Sequence, residues 1–181
     1  MKKLLLYWGP VLIWMGMIFY SSSQPYNDQD IKPMLLDTVE LGWVSIYFSE
    51  LTFNYAGEVV SVNRLGEAGY IEFFIRKGAH VTVYLILAIF IYRAIRITIK
   101  TRKPILFYSW LLTSIYAASD EFHQGFTVQR SPHVEDVMLD SAGAILGVIL
   151  AHQLIYKKPE NRSSHNALQK KIDLGNVKKY H

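Results

Sequence analysis

Four stretches of the chain are almost free of charge, and polar connections separate them. These stretches cover residues 4–20, 79–92, 105–119 and 137–156. A helix needs roughly 20 mainly apolar residues to cross about 30 Å of hydrocarbon. The pattern therefore predicts an all-α fold, an integral membrane bundle of four transmembrane helices at about residues 4–20, 76–95, 105–120 and 135–156. A small soluble helical bundle is the alternative, because polar residues such as His80 and Asp140 interrupt the apolar pattern.

The connection between the first two spans, residues 21–72, is far longer than the usual link of about 4–6 residues. Apolar side chains recur at close to helical spacing over residues 35–51, with Asp37, Glu40 and Glu50 between them. This spacing predicts one or two amphipathic helices that lie on the outer leaflet or cap the bundle. A structured loop that packs on its own helices fits the pattern equally well. Turn-forming residues precede the second span, at Asn54, Gly57, Asn63, Gly66 and Gly69.

The first span and its flanks, residues 1–24, also have features of a secretory signal, with Lys2 and Lys3 before an apolar run and small residues after it. The run is longer than the usual signal core of about 7–15 residues, and no clean cleavage site follows it. We therefore expect an uncleaved first helix.

Positive charge is distributed unevenly about the predicted spans. Fourteen of the 19 Lys and Arg residues lie before the first span, between the second and third, or after the fourth. Cytoplasmic loops carry an excess of Lys and Arg, so both termini are predicted to be cytoplasmic, and residues 157–181 form a basic cytoplasmic tail. This topology accounts for the net charge of +4, and no nucleic-acid partner is needed to explain it. The absence of cysteine excludes disulfides, thiol catalysis and cysteine-based zinc sites.

The stretch from Ser119 to Gly147 joins the third and fourth spans and is unusually rich in ionisable groups. Charged groups at the edge of a membrane segment are costly, so they are retained mainly where they pair, line a cavity or act on a ligand. Helical spacing places Asp136, Asp140, Gly143 and Gly147 on one face. The two glycines form a small-xxx-small pattern that allows close helix packing.

Polar side chains also share helix faces in the second and third spans. Asp120 and Gln124 share a face at the end of the third span, beside Glu121, and His80 and Tyr84 share one in the second span, beside Lys77. Bringing these helix ends together predicts a polar site at the outer boundary of the membrane, with Arg130 and the other cations facing the carboxylates.

These residues also form a recognisable pattern. Asp120-Glu121-x-x-Gln124-x-Phe126-x-x-x-Arg130, followed by Asp136, a polar residue at 140, Gly143 and Gly147, resembles the VanZ-like membrane proteins. Lys77-x-x-His80 with Tyr84, and the Ser-Ser-Ser-Gln sequence after the first span, match other marks of that family. The chain departs from the family in having Val128-Gln129 where Pro-Gly is common, and Asp140 where Asn is common.

The resemblance covers residues 4–156, and we take residues 1–156 as one VanZ-like domain. It implies a multi-span protein of the bacterial cell membrane. The founding member of the family is associated with resistance to the glycopeptide teicoplanin without alteration of the peptidoglycan target. The resemblance supplies no catalytic reaction and no cofactor, so whether the protein is an enzyme is left open.

Three interpretations of the polar site follow from its chemistry. In the first, cations bind an anionic envelope lipid or precursor, such as a phospholipid or a polyprenyl phosphate, while a carboxylate or His80 transfers a proton. The residues assigned to proton transfer are Asp120, Glu121, Asp136 and His80; those assigned to ligand binding are Lys77, Arg130, Gln124, Asp140 and Tyr84.

The second interpretation is a divalent metal site that includes His123 and His133, although no standard ligand spacing is present and we predict no metal. In the third, the charges form a buried network that fixes helix register and performs no chemistry. A small oligomeric transporter is a further alternative for the function of the whole protein.

Overall fold

Four long helices lie side by side and alternate in direction. The computed structural model describes residues 2–99, 104–128 and 130–156. The long helices are α1 (Lys2–Ser22), α4 (Val62–Thr98), α5 (Ile105–Gln124) and α6 (Val134–Tyr156), and two short helices, α2 (Lys32–Thr38) and α3 (Gly42–Phe48), precede α4. Trp8, near the start of α1, donates a hydrogen bond to Thr98 at the end of α4 (3.1 Å), so these two helices are antiparallel.

The same kind of contact fixes the direction of the other helices. Tyr116 of α5 donates to the backbone carbonyl of Met15 in α1 (2.7 Å), and Ser22 at the end of α1 reaches Asp120 near the end of α5. The order of these contacts makes α1 and α5 parallel. Helices α4 and α6 are also parallel, because Lys77 contacts Asp136 and, further along both helices, Tyr92 contacts His152.

Within the described part of the chain, three helices are long and apolar enough to cross a membrane, at Leu4–Ser22, Val62–Thr98 and Val134–Ile155. Their outward faces expose large apolar side chains such as Leu5, Ile13 and Leu154, each more than 60% exposed. An exposed apolar surface of this extent is unfavourable in water and suits a lipid environment. The fold is therefore a helical bundle with three helices that can span a membrane.

Helix α5, predicted as the third span, is not among those three. Its 20 residues include Ser109, Thr113, Asp120, Glu121 and Gln124, which lower its hydropathy. All five are buried against the neighbouring helices, whereas its outward face presents residues such as Phe107, Leu112, Ile115 and Phe122. The two charged residues of the helix, Asp120 and Glu121, thus both lie on its inward face.

The connection between α1 and α4 folds into a cap over one end of the bundle. It contains a 3-10 turn (Tyr26–Gln29), α2, α3, and an antiparallel hairpin of β1 (Thr52–Tyr55) and β2 (Glu58–Ser61). Leu35, Leu41, Val44, Val60 and Tyr70 form a second apolar core between the cap and the start of α4. One or two helices were predicted here, and the structure has two, but the hairpin was not predicted, so the all-α class holds only for the bundle. Its turn uses positive φ angles at Ala56 and Gly57, as two-residue hairpin turns require.

Helix α4 begins earlier than the predicted second span. The Ser61 side chain accepts the backbone N–H of Arg64 and caps the helix, which then continues to Thr98. Asn63 and Gly69, predicted as turn residues, therefore lie in helical parts of α4, whereas at Gly66 the predicted interruption is present. Only Gly66 departs from helical geometry, with φ of 72°, and it produces a kink between the cap and the bundle.

Gly143 and Gly147 bring α6 into direct contact with the backbone of α4. A Cβ atom added at Gly143 would lie 2.6 Å from the carbonyl oxygen of Val81, and one at Gly147 would lie closer still to that of Leu85. Both distances are too short for any side chain. The close helix approach predicted from the glycine spacing is therefore present, and it carries Asp136 and Asp140 of α6 up to α4.

Candidate functional site

The polar site lies at the capped end of the bundle, where α1 and α5 end and α6 begins. Helix α4 passes through this level with Arg76, Lys77, His80 and Tyr84. The four acidic residues assigned to the site from the sequence are all buried: Asp120, Glu121, Asp136 and Asp140. The structure therefore brings together residues from four helices that the sequence only suggested were neighbours.

Asp120 connects three helices through one oxygen atom. Its Oδ2 accepts hydrogen bonds from the hydroxyl of Ser22 in α1 (2.8 Å), the hydroxyl of Tyr84 in α4 (3.0 Å) and the side-chain amide of Gln124 in α5 (3.0 Å). These hydrogen bonds hold the ends of α1 and α5 against α4. The other oxygen, Oδ1, is buried and has no hydrogen-bond partner among the described residues.

Asp136 binds both α4 and the hairpin. The ammonium group of Lys77 and the hydroxyl of Tyr55 each donate to its Oδ1 at 2.5 Å. Lys77 also lies 4.6 Å from the centre of the Tyr55 ring, so its charge is held by a carboxylate and an aromatic face. Burial and the charge of Asp136 raise the pKa of Tyr55 well above its usual value, so its hydroxyl remains a donor.

His80 and Asp140 form the second cross-link between α4 and α6. The Nδ1 atom of His80 lies 3.4 Å from Asp140, whose side chain is almost completely buried. Asp140 Oδ1 has no hydrogen-bond partner within the described part of the chain. This contact is longer than those of Asp136 and leaves His80 on the wall of the cavities described below.

Glu121 holds the loop that leads from α5 into α6. Its Oε1 accepts the backbone N–H of His133 at 2.6 Å, just before α6 begins at Val134. Satisfying this N–H fixes where α6 starts and therefore where Asp136 lies. Glu121 is thus a positioning residue in the observed structure.

Arg130 lies in the same loop and forms hydrogen bonds with amides rather than carboxylates. Its guanidinium donates to the side-chain oxygens of Gln124 (3.0 Å) and Gln29. Its Nε is buried and has no hydrogen-bond partner in the described residues. Burial and the nearby positive charge of Arg76 lower the pKa of Arg130, and these two effects outweigh the opposing effects of Asp120 and Glu121.

Arg76 and Arg130 form a pair of cations that make no direct ion pair with a described carboxylate. Its guanidinium lies over the ring of Tyr26, 4.6 Å from the ring centre, and its Nη1 is buried with no hydrogen-bond partner in the described chain. Neither Arg76 nor Arg130 forms an ion pair with a described Asp or Glu, whereas Lys77 is paired with Asp136. Two adjacent, half-buried guanidinium groups without a carboxylate favour binding of an anion.

Two cavities meet at this arginine pair. The first, about 410 Å³, lies under the hairpin and has a polar wall that includes Lys32, Tyr55, Glu72, Lys77 and Asp136. The second, about 310 Å³, lies between α1 and α4 and is mainly apolar, with Trp14, Met17, Ile18 and Val83 in its wall. Four residues line both cavities: Arg76, His80, Gln124 and Arg130.

The two metal candidates have different surroundings. His123 stacks on the ring of Phe19 with ring centres 4.2 Å apart, while His133 lies at the start of α6. In residues 2–99, 104–128 and 130–156, no group of three or more His, Asp or Glu side chains has a geometry that could hold a metal ion.

Several residues of the site could not be assigned from the sequence. Gln29 and Tyr55 reach it from the cap, and Tyr26 and Glu72 form a further hydrogen bond (3.0 Å) in the wall of the first cavity. Their sequence positions lie in or beside the long connection, which has no motif to mark them. Ser22 did have a signal, because it belongs to the Ser-Ser-Ser-Gln sequence after the first span.

The apolar helices and the buried polar site between them define a helical membrane protein. The VanZ/LLP1 family matches residues 7–156, which includes α1 from residue 7 onward, the other three long helices, the cap and the site. The chain belongs to the VanZ/LLP1 family. No curated protein and no solved structure matches it significantly.

Proposed function

We propose that this VanZ-like protein binds an anionic envelope lipid or lipid-linked precursor through a polar site at the outer face of the cell membrane. The observation that carries the proposal is the Arg76–Arg130 pair at the junction of a polar and an apolar cavity. A phosphate group would provide the direct ion-pair partner that neither arginine has among the described carboxylates. Arginine is suited to such a ligand because its planar fork can bind two phosphate oxygens.

The proposal includes four membrane spans with both termini in the cytoplasm. Helix α5 supports this topology, since 20 residues at 1.5 Å each give about 30 Å, the thickness of the hydrocarbon layer. Its polar side chains are shielded by the other helices, which is the arrangement expected of ionisable residues inside a membrane. The cap and the site would then face the outside.

Binding to purified protein is the direct test. The wild-type chain and the Arg76→Gln and Arg130→Gln variants are placed in nanodiscs, and the probe is phosphatidic acid detected by native mass spectrometry. Each charged hydrogen bond contributes about 1.5–3 kcal/mol, so each variant should bind about 10- to 100-fold more weakly. Arg93→Gln is the matched control, because Arg93 is exposed near the opposite end of α4. Unchanged affinity in both site variants would reject the proposal.

Proton transfer at the bound lipid is the catalytic form of the proposal. His80 lies at the cavity junction, and Asp140 contacts its Nδ1, as a carboxylate does in general acid–base sites. Asp120 and Asp136 each line one of the two cavities, whereas Glu121, the third acid assigned to proton transfer, lines neither. The hydrogen bonds of all three acids engage them in holding helices and the loop. Turnover of a labelled phospholipid or polyprenyl phosphate by the wild type, lost in His80→Gln, would distinguish an enzyme from a binding protein.

An effect on glycopeptide susceptibility follows if the ligand is an envelope precursor. A strain that expresses the wild-type chain should differ from one expressing Arg130→Gln in its susceptibility to teicoplanin, at equal protein levels. Equal susceptibility would separate this protein from the resistance role associated with the family's founding member.

A second candidate role is a purely structural charge network. The Lys77–Asp136 and His80–Asp140 contacts favour it, because both join α4 to α6 and can fix their register. The two roles differ in what the arginines do: the network does not use Arg76 in an ion pair within the described residues. A stable, correctly inserted Arg76→Gln variant without lipid binding would therefore favour the ligand site.

A further inference from the structure

The second cavity is a slot between two helices, and its position relative to the arginines is informative. Contacts between the antiparallel helices α1 and α4 set its limits. At one end, Trp14 donates a hydrogen bond to the carbonyl oxygen of Val83 (2.9 Å) and closes the slot. At the other end, Ser22 and Arg76 lie at the level of Asp120. The interval from Trp14 to Ser22 corresponds to about 12 Å along a helix.

The walls of the slot become less polar with distance from the arginines. Ser21, Ser22 and Gln29 lie near the Arg76–Arg130 end, whereas Met17, Ile18 and Val83 lie toward Trp14. The indole N–H of Trp14 is already bonded to Val83, so its ring offers an apolar surface. An amphiphile with a charged head matches this gradient in one orientation only, with its head at the arginines.

The slot also has an open side that faces away from the bundle. Met17 is 56% exposed and Ala79 is exposed, and both belong to the slot wall. Neighbouring residues on the outward face of α1, such as Ile13 (67% exposed), are apolar too. A chain that leaves the slot past Met17 therefore stays in an apolar environment, and it need not pass through water.

We propose that the hydrocarbon chain of a single anionic lipid enters sideways between α1 and α4 and lies in this slot, with its phosphate between Arg76 and Arg130. This inference rests on the proposed function and defines the ligand further: it is a membrane-resident lipid phosphate that reaches the site from the bilayer. The slot holds only the part of the chain nearest to the head group, because Trp14 ends it after about 12 Å. The rest of the chain lies in the bilayer along α1.

Photo-crosslinking on the wild-type protein tests the position of the chain directly. The probe is phosphatidic acid in nanodiscs, with a diazirine on the acyl chain close to the glycerol, and mass spectrometry locates the adducts. Adducts should be severalfold enriched at the slot residues Met17, Ile18 and Ala79 relative to Ile13. Diacylglycerol with the same diazirine lacks the phosphate, so its adducts should be distributed over Ile13 and Met17 alike. Equal labelling of both residues by the phosphatidic acid probe would overturn the inference.

Filling the slot provides an independent measurement. Met17→Trp should lower adduct formation at Ala79 severalfold. Ile13→Trp introduces the same side chain one helical turn away and should leave adduct formation at Ala79 unchanged. Ala79→Phe should likewise lower adduct formation at Met17, whereas Ala118→Phe is its matched control, since Ala118 is exposed on α5. Equal effects of the slot and control substitutions would overturn the inference.

The outcomes separate this inference from the proposed function. If Arg76→Gln weakens phosphatidic acid binding while adducts show no preference for the slot, the head-group site stands and the slot does not hold the chain. If Arg76→Gln and Arg130→Gln leave lipid binding unchanged, the proposed function itself fails. Inorganic phosphate that binds as tightly as phosphatidic acid would indicate a soluble anion and overturn the slot assignment.

Discussion

The Nζ atom of Lys77 lies 2.5 Å from Oδ1 of Asp136, and this ion pair joins the middle of the chain to the first turn of α6. Tyr55 donates to the same oxygen, so one carboxylate fixes two helices and the cap together. The side chains of Lys77 and Asp136 are 22% and 9% exposed. A pair at this depth is costly to break but contributes little compared with an apolar pair of similar volume.

Removing Lys77 alone should therefore be more harmful than removing the whole pair. Lys77→Met leaves the Asp136 charge without its ammonium partner and should lower the free energy of unfolding by about 2–4 kcal/mol. The double variant Lys77→Met/Asp136→Leu should recover a large part of this loss. Unfolding in mixed micelles measures both values. The exposed pair Arg64–Glu58 is the control, where Arg64→Met should cost less than about 1 kcal/mol. If the double variant lost the sum of the free energies of unfolding lost by the two single variants, the result would contradict the pairing.

Tyr55 should make the protein sensitive to alkaline conditions. Its pKa is raised in the fold above the value of about 10 for an exposed tyrosine, so the folded state retains a proton that the unfolded state loses. The stabilisation by Tyr55 is complete below pH of about 10 and decreases as the pH rises above it. Thermal unfolding of wild type and Tyr55→Phe between neutral pH and about pH 11 should show a smaller alkaline loss in the variant. If the stability of the wild type and of Tyr55→Phe declined equally with rising pH, Tyr55 would not titrate in this way.

Gly147 should not tolerate even a methyl group. A Cβ atom at this position would overlap the carbonyl oxygen of Leu85, so Gly147→Ala must move α6 away from α4. Overpacking of this kind typically lowers the free energy of unfolding by about 1–3 kcal/mol, which unfolding in mixed micelles would measure. The same displacement should loosen the His80–Asp140 contact, one turn or more away on the same pair of helices. Gly16→Ala is the matched control, because a Cβ there meets nothing within 4 Å and the helix gains propensity. An unaffected Gly147→Ala variant would mean that the two backbones are farther apart.

The number of spans can be measured with single cysteines, since the native chain has none. Asn54 lies in β1 of the cap and is exposed, so Asn54→Cys should react with a membrane-impermeant maleimide in intact cells. A cysteine appended after His181 should react only after the cells are opened. Four spans place these two positions on opposite sides of the membrane. If α5 does not cross, the two cysteines will be labelled from the same side.

The bundle could be predicted because membrane burial leaves a long, simple signal. Uncharged windows marked α1, α4 and α6, and the spacing of Asp136, Asp140, Gly143 and Gly147 indicated which face of α6 turns inward. Likewise, the three- and four-residue intervals in α4 placed His80 and Tyr84 on one face, where they contact Asp140 and Asp120. These patterns depend on helix geometry alone, so they do not require knowledge of the tertiary fold.

The cap and its contributions could not be predicted in the same way. Tyr55 reaches Asp136 across 81 residues through a short hairpin, and Gln29 reaches Arg130 across 101 residues. Such contacts depend on how the cap folds over α4, which local periodicity does not encode. The start of α4 was misjudged at Asn63 and Gly69, which lie in helical segments although such residues are typical of turns, whereas Gly66 does interrupt the helix, with φ of 72°.

The Lys77–Asp136 pair also has a consequence for synthesis of the chain. Asp136 leaves the ribosome 59 residues after Lys77 and 81 residues after Tyr55. At about 5–20 residues per second, Lys77 has no Asp136 to pair with for on the order of 3–12 s. During that interval the growing chain contains Lys77 but not Asp136. A chain that is truncated before α6 keeps Lys77 without this partner permanently. Prematurely ended copies of this protein would thus differ from complete ones by an unpaired charge that quality-control proteases in the membrane could detect.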